Sequence, residues 1–247
     1  MAVADANLTV SIYRLIDVPL VLNNVKLTMN GDLTLALPVE TYGFVEIDGQ
    51  EYTLDLSLSP TVSVFPGSTL VLKNMMVTGI SGSKINNVDN TGQVQLQNTT
   101  WVQSGDYQFV RGSLQINNKV LMTGASNFVY QTSQISTITS NAQLMFDSGM
   151  TFSYAPSSAS NNLLNFQDST AELYLYQTTL RTSTIGLQLT KGMVTVDGIC
   201  NVVSNAVTQA QGVRFGDGVL SANNINLMIL PESGLNLVSG FLVYNNV

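Results

Sequence analysis

Short runs of alternating apolar and polar residues recur along the chain, and nearly all end on Asn, Gly or Gln. They read LVLNN at 20–24, VEIDG at 45–49, LVLKN at 70–74, VQLQN at 94–98, LQINN at 114–118, LYLYQ at 173–177 and VTVDG at 194–198, with a shorter ITS at 138–140. The apolar anchors just before these corners are Leu22, Ile47, Leu72, Leu96, Ile116, Ile138, Leu175 and Val196, and a weaker ninth is Leu230 in MILPESG. Steps between anchors are 25, 25, 24, 20, 22, 37, 21 and 34 residues. Alternation of period two marks a strand with one buried side. A strand phrase returning every 20 to 25 residues marks stacked repeats, in which each unit buries its apolar side against the next.

No segment of ten or more residues carries apolar spacing at i, i+3, i+4 and i+7, so no helix of consequence is expected. A propeller blade needs roughly 40 residues or more, and the Leu-x-x-Leu-x-Leu phrase of leucine-rich repeats is absent. Three short strands per turn fit the period. Leu114 and Ile116 give the first, Val120 and Met122 the second, Phe128 and Tyr130 the third. Equivalent third strands are expected at 107–110, 163–166, 185–189 and 213–215. The fold class is therefore all-β: a right-handed parallel β-helix (β-solenoid) of about nine coils, the hand following the general bias of parallel crossovers. Residues 1–247 form one domain, with less regular coils over 1–60 and regular coils over 61–247. The two long steps predict loop insertions near 147–162 and 204–224.

The corner residues Asn24, Gly49, Asn74, Asn98, Asn118, Gln177 and Gly198 form a candidate structural ladder. Asn tolerates the left-handed backbone better than other non-Gly residues, and stacked amides can hydrogen-bond from coil to coil.

This phrasing resembles the right-handed parallel β-helix of pectate-lyase-like proteins. More narrowly, GSTLVLKN (67–74), FDSGMTFSYAPSSASNNLL (146–164), LTKGMVTVDG (189–198), RFGDGV (214–219) and ILPESGLNLVSG (229–240) resemble β-helical repeat regions of large uncharacterised proteins of the Dependentiae (Babeliae) bacteria. The likeness covers roughly residues 60–247. That group brings no established activity with it.

Composition narrows the functional classes. Only 10% of residues are charged, against about 25% in an ordinary soluble domain. The formal charge is −7, and the nine basic residues are scattered. No basic cluster exists to neutralise phosphates, so nucleic acid is not an expected partner. No apolar run is long enough for a membrane-spanning helix. The start lacks the basic and apolar regions of a signal peptide, and the expectation is a leader replaced by Met1 in a secreted or cell-surface protein.

There is no histidine, which removes the usual general base and the commonest transition-metal ligand. The lone Cys200 reads as a buried structural thiol. Glycoside hydrolysis needs two carboxylates about 5 to 9.5 Å apart. The hydrolase branch of the β-helix class carries Asn-Thr-Asp, Asp-Asp, Gly-His-Gly and Arg-Ile-Lys, and none is present here. Asp89, Asp106, Asp147, Asp168, Asp197 and Asp217 occur singly, mostly at turns. Asp147 and Asp168 are one turn's length apart and form the best candidate pair, with Arg181 nearby. The GDG at 216–218 is too little for a calcium loop. Neither metal nor cofactor is expected.

Aromatics give a second candidate surface. Trp101, Tyr107, Phe128, Tyr130, Tyr154, Tyr174 and Tyr176 are expected to include exposed positions, and Tyr174 and Tyr176 face outward if Leu173 and Leu175 face inward. Such rings can stack on sugars or on a partner protein. The expected function is a non-enzymatic structural or adhesive rod. Its partners are further copies stacked end to end through uncapped coils, flanking repeats, a polysaccharide or a host surface. The alternative is a polysaccharide-binding or polysaccharide-degrading β-helix.

Overall fold

The computed structural model describes the backbone of most of the chain and the side chains of 19–201, apart from 59, 148, 184 and 199; residues 1, 5–6, 11–18, 205–212, 217, 224–227, 230–234, 238–239 and 246–247 are also outside the described set. The chain is an all-β parallel solenoid, and every strand pairing among the described residues is parallel. Each turn lays one strand on each of three faces. First-face segments fall at 25–28, 44–48, 69–73, 93–97, 113–117, 136–138, 164–166 and 187–190, which gives eight turns over 20–201. Several strands bend through a corner without a break, as Gln93–Phe109 does.

Like side chains stand in columns because each coil hydrogen-bonds to the next about 4.8 Å away. On the first face, Ile47 pairs with Leu72, Leu72 with Leu96, Leu96 with Ile116, and Ile116 with Ile138. On the second, Leu54, Val77, Trp101, Met122, Phe146, Leu175 and Val196 stack in order. The third carries the large rings: Tyr107 lies under Phe128, Phe128 under Phe152 and Tyr130 under Tyr154. All of these core residues are buried. Each buried Leu, Ile or Phe contributes roughly 1.5–3 kcal/mol.

Three sequence expectations change. Leu22 pairs with Thr41 on the third face, while Leu27 stands below Ile47. The segments 164–166, 187–190 and 213–216 are first-face, not third-face, strands; of the expected set only 107–109 lies on the third face. The 37-residue step from Ile138 to Leu175 is a change of column: the residue above Ile138 is Phe166, 28 positions on. An insertion remains, but a short one. Ten positions separate Tyr154 from Leu164, against six between Tyr130 and Ser136 one coil earlier. Likewise Val196 pairs with Ala222, 26 positions on, where the sequence reading expected Leu230; Leu230, and residues 205–212, Asp217 and 224 of the expected 204–224 insertion, lie outside the described residues.

The corner set divides among three corners. Asn74, Asn98 and Asn118 hold φ of 52°, 48° and 54° between the first and second faces, joined by Asn141 at 58°. Asn98 Nδ2 donates to Asn74 Oδ1 (3.1 Å), and Asn74 Nδ2 donates to Asp48 Oδ1 (3.1 Å). Gly49 lies beside this ladder but is not a rung of it. There, Gln50 and Glu51 take the left-handed backbone, and a Cβ on Gly49 would meet Met75 Cβ at 2.3 Å. Asn24 belongs to the third-to-first corner with Gly43, where its Oδ1 accepts from the Phe44 amide. Gln177 and Gly198 belong to the second-to-third corner with Gly149. All three corners meet the same steric demand, and Asn, Gly and Gln answer it alike, so the sequence phrase does not distinguish them.

A second rule appears at two of these corners. Thr99, after Asn98, donates its hydroxyl to the Leu72 carbonyl in the coil below, and Thr178, after Gln177, donates to the Phe146 carbonyl. Cys200 stands one coil above Thr178 and turns its thiol to the Leu175 carbonyl at 3.4 Å. Its burial raises the thiol pKa, and its role is that of the threonine it replaces.

Candidate functional site

The outward positions of the first face change character along the rod. Low on the rod they are ionic: Lys73 Nζ lies 2.8 Å from Glu46 and 3.3 Å from Asp48. From 93 upward they become amides and hydroxyls. One outward column runs Gln95, Gln115, Thr137, Asn165. Beside it Gln97 pairs with Asn117, and Thr139 Oγ1 donates to Asn117 Oδ1 (3.2 Å). Alternation places them outside because Val94, Leu96, Leu114, Ile116 and Ile138 take the inner positions. Their amides are linked in series. Gln95 Nε2 donates to Gln93 Oε1 (2.6 Å), Gln93 Nε2 to Gln115 Oε1 (3.5 Å), and Gln115 Nε2 to Asn117 Oδ1 (3.0 Å).

The second face presents Tyr174 and Tyr176, both half-buried and outward, with Leu173 and Leu175 buried behind them. Tyr174 Oη donates to Asp197 Oδ2 (2.6 Å). Burial and this acidic partner push the phenol up to about 12, so it is a hydrogen-bond donor and not a base. Below it Glu172 accepts from Gln143 Nε2 (2.7 Å) and from Thr195 Oγ1. Outward along the same strip stand Leu121 and Met145, stacked under Tyr174.

Asp147 and Asp168 lie at different corners. Asp168 follows the first-face strand and accepts from Ser140 Oγ in the coil below and from the Thr170 amide and hydroxyl. Those hydrogen bonds hold its carboxyl below the usual range. Asp147 follows the second-face strand and accepts from Thr123 Oγ1 (3.4 Å). A strand and its flanking residues therefore separate the two, on the order of 15 Å at about 3.3 Å per residue. That exceeds the carboxylate spacing of glycosidases. Arg181 is exposed on the third face, where it pairs with Ser153. Asp55, Asp89 and Asp168 each accept the amide two residues on, which is turn chemistry.

Trp101 is buried, as are Tyr107, Phe128, Tyr130 and Tyr154, so of the expected set only Tyr174 and Tyr176 face outward; Phe44 and Tyr52, outside that set, are exposed aromatics. The rings are affordable inside because their hydroxyls find carbonyls: Tyr107 Oη donates to Ile85 O, Tyr130 Oη to Leu163 O (3.0 Å) and Tyr154 Oη to Ser160 O (3.0 Å). Among the described residues no three His, Cys, Asp or Glu side chains cluster as a metal site. The sequence reading missed the amide face, although Gln93, Gln95 and Gln97, and then Gln115 and Asn117, at alternate positions of two successive strands were its signal.

Comparisons with protein-family models, curated proteins and solved structures found no match to this chain. The resemblance drawn from its phrasing therefore reaches as far as the parallel β-solenoid.

Proposed function

We propose that the chain is a non-enzymatic β-solenoid serving as a structural or adhesive rod at a cell surface or in the extracellular space. One observation carries the reading: the best acid pair, Asp147 and Asp168, is divided between two corners, with Asp168 fixed in its turn by Ser140 and Thr170. From Gln93 upward the first face presents strands of uncharged polar side chains suited to contact. Parallel coils also present edges to which a further coil adds, from the same polypeptide or from a second copy. The finer likeness to pectate-lyase-like and Dependentiae β-helices belongs to this proposal.

The test is incubation with a polysaccharide panel, acidic and neutral, with product analysis. No new reducing ends or unsaturated products are expected. Turnover abolished by Asp147→Ala or Asp168→Ala would overturn the reading. Negative-stain microscopy over a concentration series tests end-to-end stacking; a monomer without fibres at high concentration ends that part.

A further inference from the structure

The geometry points to the amide face, outward on 93–97, 113–117 and the strands above, as a binding surface for an uncharged polysaccharide chain laid along the rod. This rests on the adhesive reading and gives it a ligand class.

Charge is the first argument. Glu46, Asp48 and Lys73 occupy the outward positions below, but from Gln93 through Asn117 and on to Asn165 the described outward side chains of the first-face strands carry no ionisable group. A charged polymer bound there would lose water without gaining a counter-charge, whereas a neutral one incurs no such cost.

Hydrogen-bond capacity is the second. A carboxamide offers two donors and two acceptor sites, and the three bonds of the series Gln95 to Gln93 to Gln115 to Asn117 leave more than half of them free within the series. It also fixes the amide orientations before a ligand arrives, which lowers the ordering cost of binding. What remains is a lattice of paired donors and acceptors, the complement of vicinal sugar hydroxyls. Rungs recur about every 4.8 Å, so the lattice repeats at close to the advance of one sugar in an extended β-linked chain.

The test uses the full chain in pull-down against insoluble cellulose and curdlan, with affinity electrophoresis in soluble xylan and in polygalacturonate. Wild type should be retained by at least one neutral polymer and not by polygalacturonate. The double variant Gln95→Glu/Gln115→Glu should weaken that retention at least tenfold. Gln108→Glu, exposed on the third face, should leave it unchanged. Circular dichroism and melting show that each variant folds, and Asn117→Asp serves as the second probe should the double variant fail to do so. Retention by polygalacturonate alone, by no neutral polymer, or equally by all variants overturns the inference. Product release in the same samples would instead strike the non-enzymatic reading and leave the binding surface standing.

Discussion

Tyr130 and Tyr154 stack one above the other on the third face, ring centroids 5.4 Å apart and planes 13° from parallel. Their hydroxyls fasten the irregular segment 155–163 that follows Tyr154. The single Tyr130 Oη proton lies between the Gln134 and Leu163 carbonyls (2.8 and 3.0 Å), and Tyr154 Oη accepts from the buried Leu163 amide (2.9 Å) and donates to the Ser160 carbonyl. Tyr154→Phe keeps the stack and leaves that amide without its partner. A loss of about 1–3 kcal/mol is expected in thermal or chemical unfolding. Limited proteolysis should show faster cleavage within 155–162, and unchanged cleavage elsewhere.

How much of this was legible beforehand depends on what alternation can express. The turn containing Leu114, Val120 and Phe128 could be followed strand by strand, and the column Leu72, Leu96, Ile116 stands as read. Alternation says which side chains point inward, but it does not say on which of three similar faces. Ile138 and Leu175 look alike, yet one is first-face and the other second-face, because Phe166 rather than an Asn-ended phrase fills the place between. Tyr130 and Tyr154 were legible as strand residues. Their burial was not, because it depends on carbonyls that only the folded loop presents: Leu163, 33 residues beyond Tyr130, and Ser160, on the irregular segment after Tyr154.

The Asn98 corner separates conformation from hydrogen bonding. Asn98 holds φ of 48° and bonds to Asn74. Asn98→Gly keeps the backbone and loses a partly exposed amide contact, a small cost of about 0.5 kcal/mol. Asn98→Val loses the contact and forces a β-branched residue into the left-handed region, about 2 kcal/mol in total. Melting of the two variants should rank them in that order; equal melting would show that the corner is not strained.

Stability should fall at both ends of the pH scale. Burial pulls the Asp48 carboxyl upward, but hydrogen bonds from Asn74, the Gln50 amide and Lys73 outweigh it and hold the group low; Asp55 behaves likewise through Ser57 and Thr78. A lowered carboxyl stabilises above its unfolded value of about 3.9, and that stabilisation disappears as pH drops through the folded value. The tyrosines act in the opposite direction. Burial raises Tyr107 and Tyr130, and lifts Tyr154 and Tyr174 to about 12. A raised phenol stabilises fully below about pH 10, and this fades as pH climbs toward the folded value. Melting temperature against pH should show a plateau bounded by about 4 and 10. Tyrosinate absorbance should rise in two stages, the second coinciding with unfolding.

Gly67 and Gly79 offer a paired test of why glycine stands at a corner. Their backbones are nearly the same, with φ of 68° and 74°, but their surroundings differ. A Cβ on Gly67 meets nothing within 4 Å, whereas one on Gly79 would lie 2.5 Å from the Ser57 amide nitrogen and 2.7 Å from its Cα. Gly67→Ala therefore costs only the left-handed conformation of a non-Gly residue, about 1 kcal/mol. Gly79→Ala carries the same cost and must in addition push apart two coils joined where the Leu56 amide donates to the Thr78 carbonyl (3.0 Å). A rigid backbone neighbour cannot swing aside as a side chain can, so the expected loss is several-fold larger, about 3 kcal/mol or more. Chemical unfolding of the two variants decides the matter, and equal losses would show that the second-to-third corner yields to the added methyl.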